Sequence, residues 1–357
     1  LSASISDSNL LKLPQVTLIA IGLLVALVGF VIWDQFFWWQ TNDEYSFGYL
    51  VPLFACYVVY DRWPQIQSYL FRGVRVGSDA LEVFPQRNIF TLLLEWVACI
   101  GFGFASLLFA IGGLLRAVSG PQNPASLAIS VGFAGLLLTG VFIFSKQRAD
   151  GRPMELKARL AFTCLFLFPA LIWLLSAPMV AVIQKSLLVF LQSKVTFVVF
   201  TVFEATGADL VQEGNVLLLN GKDRVGVEEA CSGIRSLTAC LFAGSFLAAV
   251  FLQSFGKKCL LIASAMLMAV FTNMCRALFL TYYAYNEGSG AIDEHWTLPL
   301  FGDIGSVHDV TGFLILGITC TGLMILLPIF NYKPTAFADF DDSETLKTSD
   351  ANTPTSE

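Results

Sequence analysis

Residues 228–236 read Glu228-Glu229-Ala230-Cys231-Ser232-Gly233-Ile234-Arg235-Ser236. From Ile234 the chain stays apolar to residue 254, about 20 residues, the length of a helix that crosses a bilayer. In lipid every backbone polar group must be satisfied within the segment, so such a run is a helix. This stretch therefore decides the fold class and also marks a place for chemistry. A Cys at a helix start is a candidate nucleophile, because the exposed N–H groups and the helix dipole favour thiolate.

The rest of the chain repeats the pattern. Apolar runs cover roughly 15–34, 47–60, 89–115, 124–145, 160–183, 259–284 and 308–332. Of 357 residues, 56% are hydrophobic and 13% charged, against about 25% charged in soluble proteins. The expectation is an all-α polytopic membrane protein of about eight transmembrane helices. Residues 1–332 form a single multipass domain. Residues 333–357, with Asp339, Asp341, Asp342, Glu344, Asp350 and Glu357, form a polar, disordered, cytoplasmic tail. The net charge of −6 gives no reason to expect nucleic acid as a partner. None of the eight cysteines forms a C-x-x-C pair, and no metal or organic cofactor is expected. The first apolar run is long and is not followed by a small-residue cleavage site, so no cleavable signal peptide is expected.

Lys and Arg set the orientation. With a cytoplasmic N-terminus, 14 of the 21 basic residues fall inside, among them Arg62, Lys146, Arg159, Lys257 and Lys258. The outer loops 35–46 and 285–307 carry no Lys or Arg. Both termini are then cytoplasmic. Residues 185–203 test this assignment. They are apolar enough to span, and a span there would invert everything downstream. Lys185, Gln192 and Thr196 share one helical face, so the expectation is an interfacial or re-entrant helix on the outer surface.

A small β-hairpin is expected next: Asn215–Leu219, a turn at Asn220-Gly221, and Lys222–Glu228. Asn-Gly suits a type I′ turn, whose two central residues both need positive φ. The hairpin would set the height of Cys231.

Two further residues join Cys231. Arg276 lies 17 residues past Cys259, roughly 25 Å along a helix at about 1.5 Å per residue, and so in the outer leaflet of a core about 30 Å thick. His308 opens the last helix on the same side. An Arg in a membrane is expensive and suggests function. Each residue has a plainer reading. Cys231 is then an inert interfacial thiol, Arg276 a clamp on a buried carboxylate, and His308 a helix cap or surface residue. Glu95, the obvious carboxylate for Arg276, lies near the inner end of its helix, at the wrong depth. His295, in Asp293-Glu294-His295-Trp296, competes with His308 as the working histidine.

Three segments together resemble the exosortase/archaeosortase family: residues 228–236, then Asn273-Met274-Cys275-Arg276, then Gly305-Ser306-Val307-His308-Asp309-Val310-Thr311-Gly312. Tyr45-Ser46-Phe47-Gly48-Tyr49-Leu50-Val51-Pro52 resembles the family's early segment, where a His is common in place of Phe47. The resemblance covers about 45–330. It implies a multipass cysteine protease/transpeptidase of the bacterial cytoplasmic membrane, with its active site on the outer face. Its substrates would be exported, membrane-anchored proteins with a C-terminal sorting signal: a short motif such as Pro-Glu-Pro, a transmembrane helix and a basic cluster. By motif match, Cys231 is the nucleophile, Arg276 the stabilising cation and His308 the acid/base. Glu228, Ser232, Gly233, Asn273 and Asp309 stand as supporting residues.

The chemistry is coherent on its own terms. A thiolate that cleaves a peptide forms an acyl-enzyme, which a second nucleophile resolves. A cation beside the attacked carbonyl stabilises the oxyanion, most strongly where water is scarce. A His protonates the leaving amine and then activates the acceptor. Glu228 and Glu229 oppose thiolate formation, so Arg276 or His308 must compensate. Two other readings stay open: an intramembrane serine protease using Ser232, and a transporter with Arg276 and Glu95 in its pathway.

Overall fold

The computed structural model describes residues 15–72, 89–148, 151–179, 181–221, 223–226, 233–298 and 302–331. The acidic tail, Glu228, Glu229, Cys231 and Ser232 lie outside the described residues. The chain is helical throughout its apolar runs. Helix α1 (Gln15–Thr41) leads through a 3-10 turn (Asp43–Leu50) into α2 (Val51–Asp61) and α3 (Trp63–Gln67). Helices α4 (Ile89–Ser119) and α5 (Asn123–Phe144) form a hairpin, followed by α6 (Leu156–Leu165), α7 (Leu167–Leu175) and α8 (Ala181–Ala205). Strands β1 (Leu210–Glu213), β2 (Val216–Leu219) and β3 (Asp223–Gly226) precede α9 (Gly233–Phe251) and α10 (Phe255–Glu287). After a 3-10 turn (Ser289–Asp293), strands β4 (His295–Leu298) and β5 (Gly302–Ser306) lead into α11 (Val307–Asn331).

Among the described residues, seven helices are long and apolar enough to cross a membrane: Leu18–Thr41, Ile89–Ser119, Asn123–Phe144, Leu156–Leu175, Ile183–Ala205, Phe255–Glu287 and Val307–Asn331. One expected span is shorter. Helix α2 has 11 residues, about 16 Å at 1.5 Å per residue. It stops because Pro64 cannot continue the ladder and instead opens α3. Helix α9, with 19 residues, is about 28 Å long at 1.5 Å per residue, close to the length expected for the run from Ile234. The run expected at 160–183 is two helices, α6 and α7, which meet at Phe166 ahead of Pro169.

Between helices in lipid, packing rather than the hydrophobic effect holds the contact, so small residues permit close approach. Helices α4 and α5 meet this way. A Cβ at Gly132 would lie 2.6 Å from the Phe109 backbone nitrogen and 2.9 Å from the Ala105 carbonyl oxygen. Polar side chains bond across neighbouring helices: Gln35 Nε2 donates to Ser130 Oγ at 2.8 Å and to the Trp173 carbonyl at 3.0 Å.

The molecule has two chemically different ends. At one, Arg62 donates to the carbonyls of Leu165 and Ala249, and Lys257 to that of Phe330. Glu95 accepts from Arg159 at 2.8 Å and pairs with Lys146 at 3.0 Å. Four cations that the charge pattern assigns to one side do gather at one end. At the other end α9 begins, α10 finishes and α11 begins.

Helix α8 corrects an expectation. Gln192 and Thr196 do not face water; they are 2% and 0% exposed, packed inside the protein. The outward face carries Ile183, Val189, Phe190, Phe197 and Val202. Lys185, the third residue of the expected stripe, is exposed; a helix lying on a membrane surface would turn its whole polar side to water, so the three residues do not form one wetted face. Yet α8 does not run back to the Arg62 end. The Met179 N–H donates to Tyr45 Oη at 3.0 Å, and Gln184 bonds Glu44, whose carbonyl also accepts from Thr238 near the start of α9. At its far end Phe203 meets Tyr285 in a tilted ring pair, with 6.3 Å between centroids. Both ends of α8 therefore lie in the half where α9 starts and α10 ends. Helix α10 has 33 residues, about 50 Å at 1.5 Å per residue, against a hydrocarbon core of about 30 Å. Its upper half is what α8 packs against.

The expected hairpin is present with a longer turn and a third strand. Leu219 pairs with Asp223, so three residues separate the strands rather than two. Asn220 (φ 51°) and Gly221 (φ 67°) take the left-handed conformations that this dipeptide allows. Strand β1 pairs with β2 from Leu210↔Leu219 to Glu213↔Val216, turning at Gly214-Asn215, with Gly214 at φ 66°. Leu217, Leu219 and Val225 are buried against Val195, Val199 and Phe203 of α8, Ala277, Leu280 and Ala284 of α10, and Val307. The sheet is thus fixed to the end of the bundle where α11 begins.

Candidate active site

Arg276 and His308 meet, as their depths imply. Arg276 Nη2 donates to the His308 carbonyl oxygen at 2.9 Å. The guanidinium lies flat against α11 where that helix has no side chain: a Cβ at Gly312 would be 3.4 Å from Nη2 and 3.6 Å from Cζ. Asn273, one turn earlier on α10, is buried. Thr272 and Thr319 bond at 3.1 Å further toward the middle of the bundle.

A local device presents His308. Ser306 Oγ accepts from the Asp309 N–H at 3.2 Å, and Asp309 Oδ2 lies 3.0 Å from Ser306 Oγ and 3.4 Å from the Ser306 nitrogen. This reciprocal pairing at positions 306 and 309 is a capping box that satisfies orphan N–H groups at the helix start. The sequence carried its signature, Ser-x-x-Asp, within the quoted motif. Gly305, at φ 95°, makes the sharp entry from β5. His308 Nδ1 is 3.3 Å from Asp309 Oδ1, and 30% of the imidazole is exposed. His308, Arg224, Val225, Gly226, Ser289, Ile292 and Asp293 line a cavity of about 50 Å³. Ser289 Oγ lies 3.3 Å from Asp223 Oδ1 and ties the 3-10 turn to β3.

His295 is elsewhere. It lies on β4, with Nδ1 2.9 Å from Asp303 Oδ2 across the second hairpin, and its side chain is 61% exposed. The Gly305 N–H and His295 hold the Asp303 carboxyl below the usual carboxylate range. Neither β4–β5 nor Asp303 as the partner of His295 was anticipated. The signal was weak: an acidic, Gly-containing loop without strict alternation. At the 3-10 turn, burial pushes the Glu44 carboxyl up, against the bond from Gln184.

Of the other residues singled out, Glu95 is bound to Arg159 and Lys146 at the far end of the bundle, so it and Arg276 do not form one site. Gly233 begins α9. Glu228, Cys231 and Ser232 lie outside the described residues, and the nearest described neighbours bracket them. Gly226 lines the cavity with His308. Gly233 starts a helix that packs along α10, with Gly244 against Ala265.

The family model described as transmembrane exosortase matches residues 38–325. The chain belongs to the transmembrane exosortase family. No curated protein and no solved structure matches it. The match covers every element from the 3-10 turn to most of α11, including all three motif segments. Membership brings the expectation of a multipass membrane protein of the sorting-transpeptidase family, and the helical architecture agrees with it. Phe47, where a His is common in the exosortase resemblance, packs on Phe242 of α9 with ring centroids 5.1 Å apart. In this exosortase that position therefore contributes to packing between the 3-10 turn and α9.

Proposed function

We propose that this exosortase-family chain cleaves exported, membrane-anchored proteins near their C-terminus through a thioester on Cys231. The observation that carries the reading is the Arg276–His308 contact, 2.9 Å from Nη2 to O, at the end of the bundle where α9 begins. Cys231 Sγ attacks the scissile carbonyl carbon. The carbonyl π electrons move to oxygen, and a guanidinium offering five N–H donors stabilises the oxyanion. Collapse expels the amine of the C-terminal fragment, which takes a proton from His308. Water or an acceptor amine, deprotonated by His308, then attacks the thioester and releases Cys231 as thiolate. Asp309 and Ser306 hold the histidine's helix turn, and Asn273 supports the α10 face that carries Arg276.

We place the protein in the bacterial cytoplasmic membrane, as one multipass domain over 1–332, with both termini cytoplasmic and the His308 end outward. The grouping of Arg62, Lys146, Arg159 and Lys257 at the opposite end supports that orientation under the positive-inside rule. The substrates are exported proteins ending in a short motif such as Pro-Glu-Pro, a membrane helix and a basic cluster.

Replacing Cys231 by Ala should abolish removal of the C-terminal tail while leaving the protein in the membrane at normal amount. Ser232→Ala should retain processing. Wild-type protein quenched in acid should carry a substrate thioester on Cys231, labile to hydroxylamine. Processing by Cys231→Ala, or an ester on Ser232 instead, would overturn the cysteine mechanism.

A further inference from the structure

At the end of the bundle opposite His308, three cations gather where several helices begin or end. Arg62 follows α2 and reaches the carbonyls of Leu165, at the end of α6, and Ala249, near the end of α9. Lys257 and Lys258 lie in the first turn of α10, and Lys257 donates to the Phe330 carbonyl at the end of α11. Lys258 is half-buried and close enough to Arg62 for the two charges to oppose each other. Helix-end carbonyls carry only partial charge, so they offset these cations in part. Among the described residues no ion pair reaches Arg62, Lys257 or Lys258. Asp61 acts on Arg62 but is itself exposed, and the first turn of α10 holds no acidic residue.

The cluster is also recessed. Leu165 lies six residues past Arg159 on α6, about 9 Å at 1.5 Å per residue. Arg62 thus meets α6 about 9 Å farther in than Arg159, which with Lys146 holds Glu95. A cation set inside the rim of a bilayer is costly unless an opposite charge meets it. On the same helix ends Phe251, Phe255, Leu260 and Ile329 are exposed. Unanswered positive charge therefore lies beside an outward apolar surface, the pairing that a phospholipid headgroup and its acyl chains complement.

We infer that Arg62, Lys257 and Lys258 bind the phosphate of an anionic phospholipid whose acyl chains lie on Phe251, Phe255, Leu260 and Ile329. The inference goes beyond the proposed cleavage and uses no residue of the proposed active site. Carbonyls fix Arg62 and Lys257, and Lys258 closes on the phosphate. A zwitterionic headgroup would add its own cation to three already present, so the site selects net negative charge. The apolar collar selects a lipid over soluble phosphate.

The test uses purified full-length protein in an uncharged detergent, titrated separately with short-chain phosphatidylglycerol, short-chain phosphatidylcholine and glycerol phosphate. Thermal unfolding reads binding. Phosphatidylglycerol should raise Tm to a saturating value, and the other two should leave it unchanged. Lys258→Ala should weaken the apparent affinity about 5-fold, the worth of one Lys beside an anionic lipid. Lys258→Gln, which keeps the length and loses the charge, should weaken it as much, and Lys258→Arg should retain it. Lys157→Ala removes an exposed Lys from α6 at the same end and should change nothing. Equal weakening by the Lys157 and Lys258 substitutions would overturn the inference, because diffuse surface charge would then account for binding. A rise in Tm with phosphatidylcholine or with glycerol phosphate alone would overturn the anionic lipid as the ligand. The rival occupant is the acidic segment after α11. It predicts no response in the wild-type protein and a response once Asp339, Asp341 and Asp342 are replaced by Asn and Glu344 by Gln, and that result would overturn the inference too.

Discussion

Substituting Gly312 tests whether the position of the Arg276 guanidinium matters for turnover. A Cβ at Gly312 would sit 3.4 Å from Nη2, 3.6 Å from Cζ and 4.0 Å from Nε. That is a close but tolerable contact, so Gly312→Ala should shift the guanidinium by a few tenths of an ångström and keep most activity. Val adds two methyls, each about 1.5 Å beyond Cβ. One of them enters the volume that the guanidinium occupies, and χ1 of a β-branched residue in a helix is too restricted to avoid it. The guanidinium must then leave, and its 2.9 Å bond to the His308 carbonyl breaks. A donor aimed at a developing oxyanion is worth about 2.7–4 kcal/mol, a factor of about 10²–10³ in rate. Gly312→Val should therefore lower kcat for tail removal at least about 100-fold, with KM little changed. Overpacking costs a further 1–3 kcal/mol or so of stability, so protein amount and thermal unfolding in detergent are measured alongside. Wild-type turnover by a folded Gly312→Val protein would show that the place of the guanidinium is irrelevant. Equal losses for Ala and Val would mean that the helix contact, not the cation, is at stake.

Arg276→Lys keeps the charge but loses the planar fork; processing should fall by more than about 10-fold, and near-normal turnover would leave Arg276 a point charge only. His308→Ala should abolish processing, whereas His295→Ala, which removes an exposed partner of Asp303, should leave most of it; the opposite result would transfer the role to His295. A membrane-impermeant thiol reagent applied to intact cells, with any outer membrane permeabilised, should label a reporter Cys at Asn220 and not one at Ser349 in a background without other cysteines; labelling at 349 alone would reverse the proposed orientation.

What was legible in the sequence follows from how local each signal is. An apolar run satisfies its own hydrogen bonds as a helix, so the runs at 15–34, 89–115 and 259–284 could be read directly, although the first continues to Thr41, through residues expected in an outer loop. Depth along a helix is arithmetic, and so Arg276 and His308 were expected together and Glu95 apart. Asn220-Gly221 encodes its own backbone. Partner-dependent features were not legible. Gln192 and Thr196 look like a wetted stripe because period 3.6 reports a face and not what covers it. The break at Phe166 and the early end of α2 at Pro64 were hidden in continuous hydropathy. Strand β1 was missed although Gly214-Asn215 is a turn dipeptide, because Leu210–Glu213 has too few residues to show alternation.

The direction of α8 links the fold to the chemistry. By length and composition it is a membrane span, and counting it as a crossing would move the start of α9 to the other side. Its contacts decide otherwise. It leaves α7 beside Tyr45 and Glu44 and ends against Tyr285, rising along α10 without returning to Arg62. The same placement gives the sheet its floor, since Val195, Val199 and Phe203 meet Leu217, Leu219 and Val225. A helix whose inner face carries Val195, Val199 and Phe203 together with Gln192 and Thr196 thus does two things at once. It extends the bundle beyond the length of its shorter helices, and it supports β3 beside the turn where β5 delivers His308. If α8 crossed back, its last turn would lie near Arg62, and neither Phe203 nor the sheet could reach Tyr285 and Val307. The contacts that place the sheet therefore also keep α9, α10 and α11 in the order that brings Arg276 against His308.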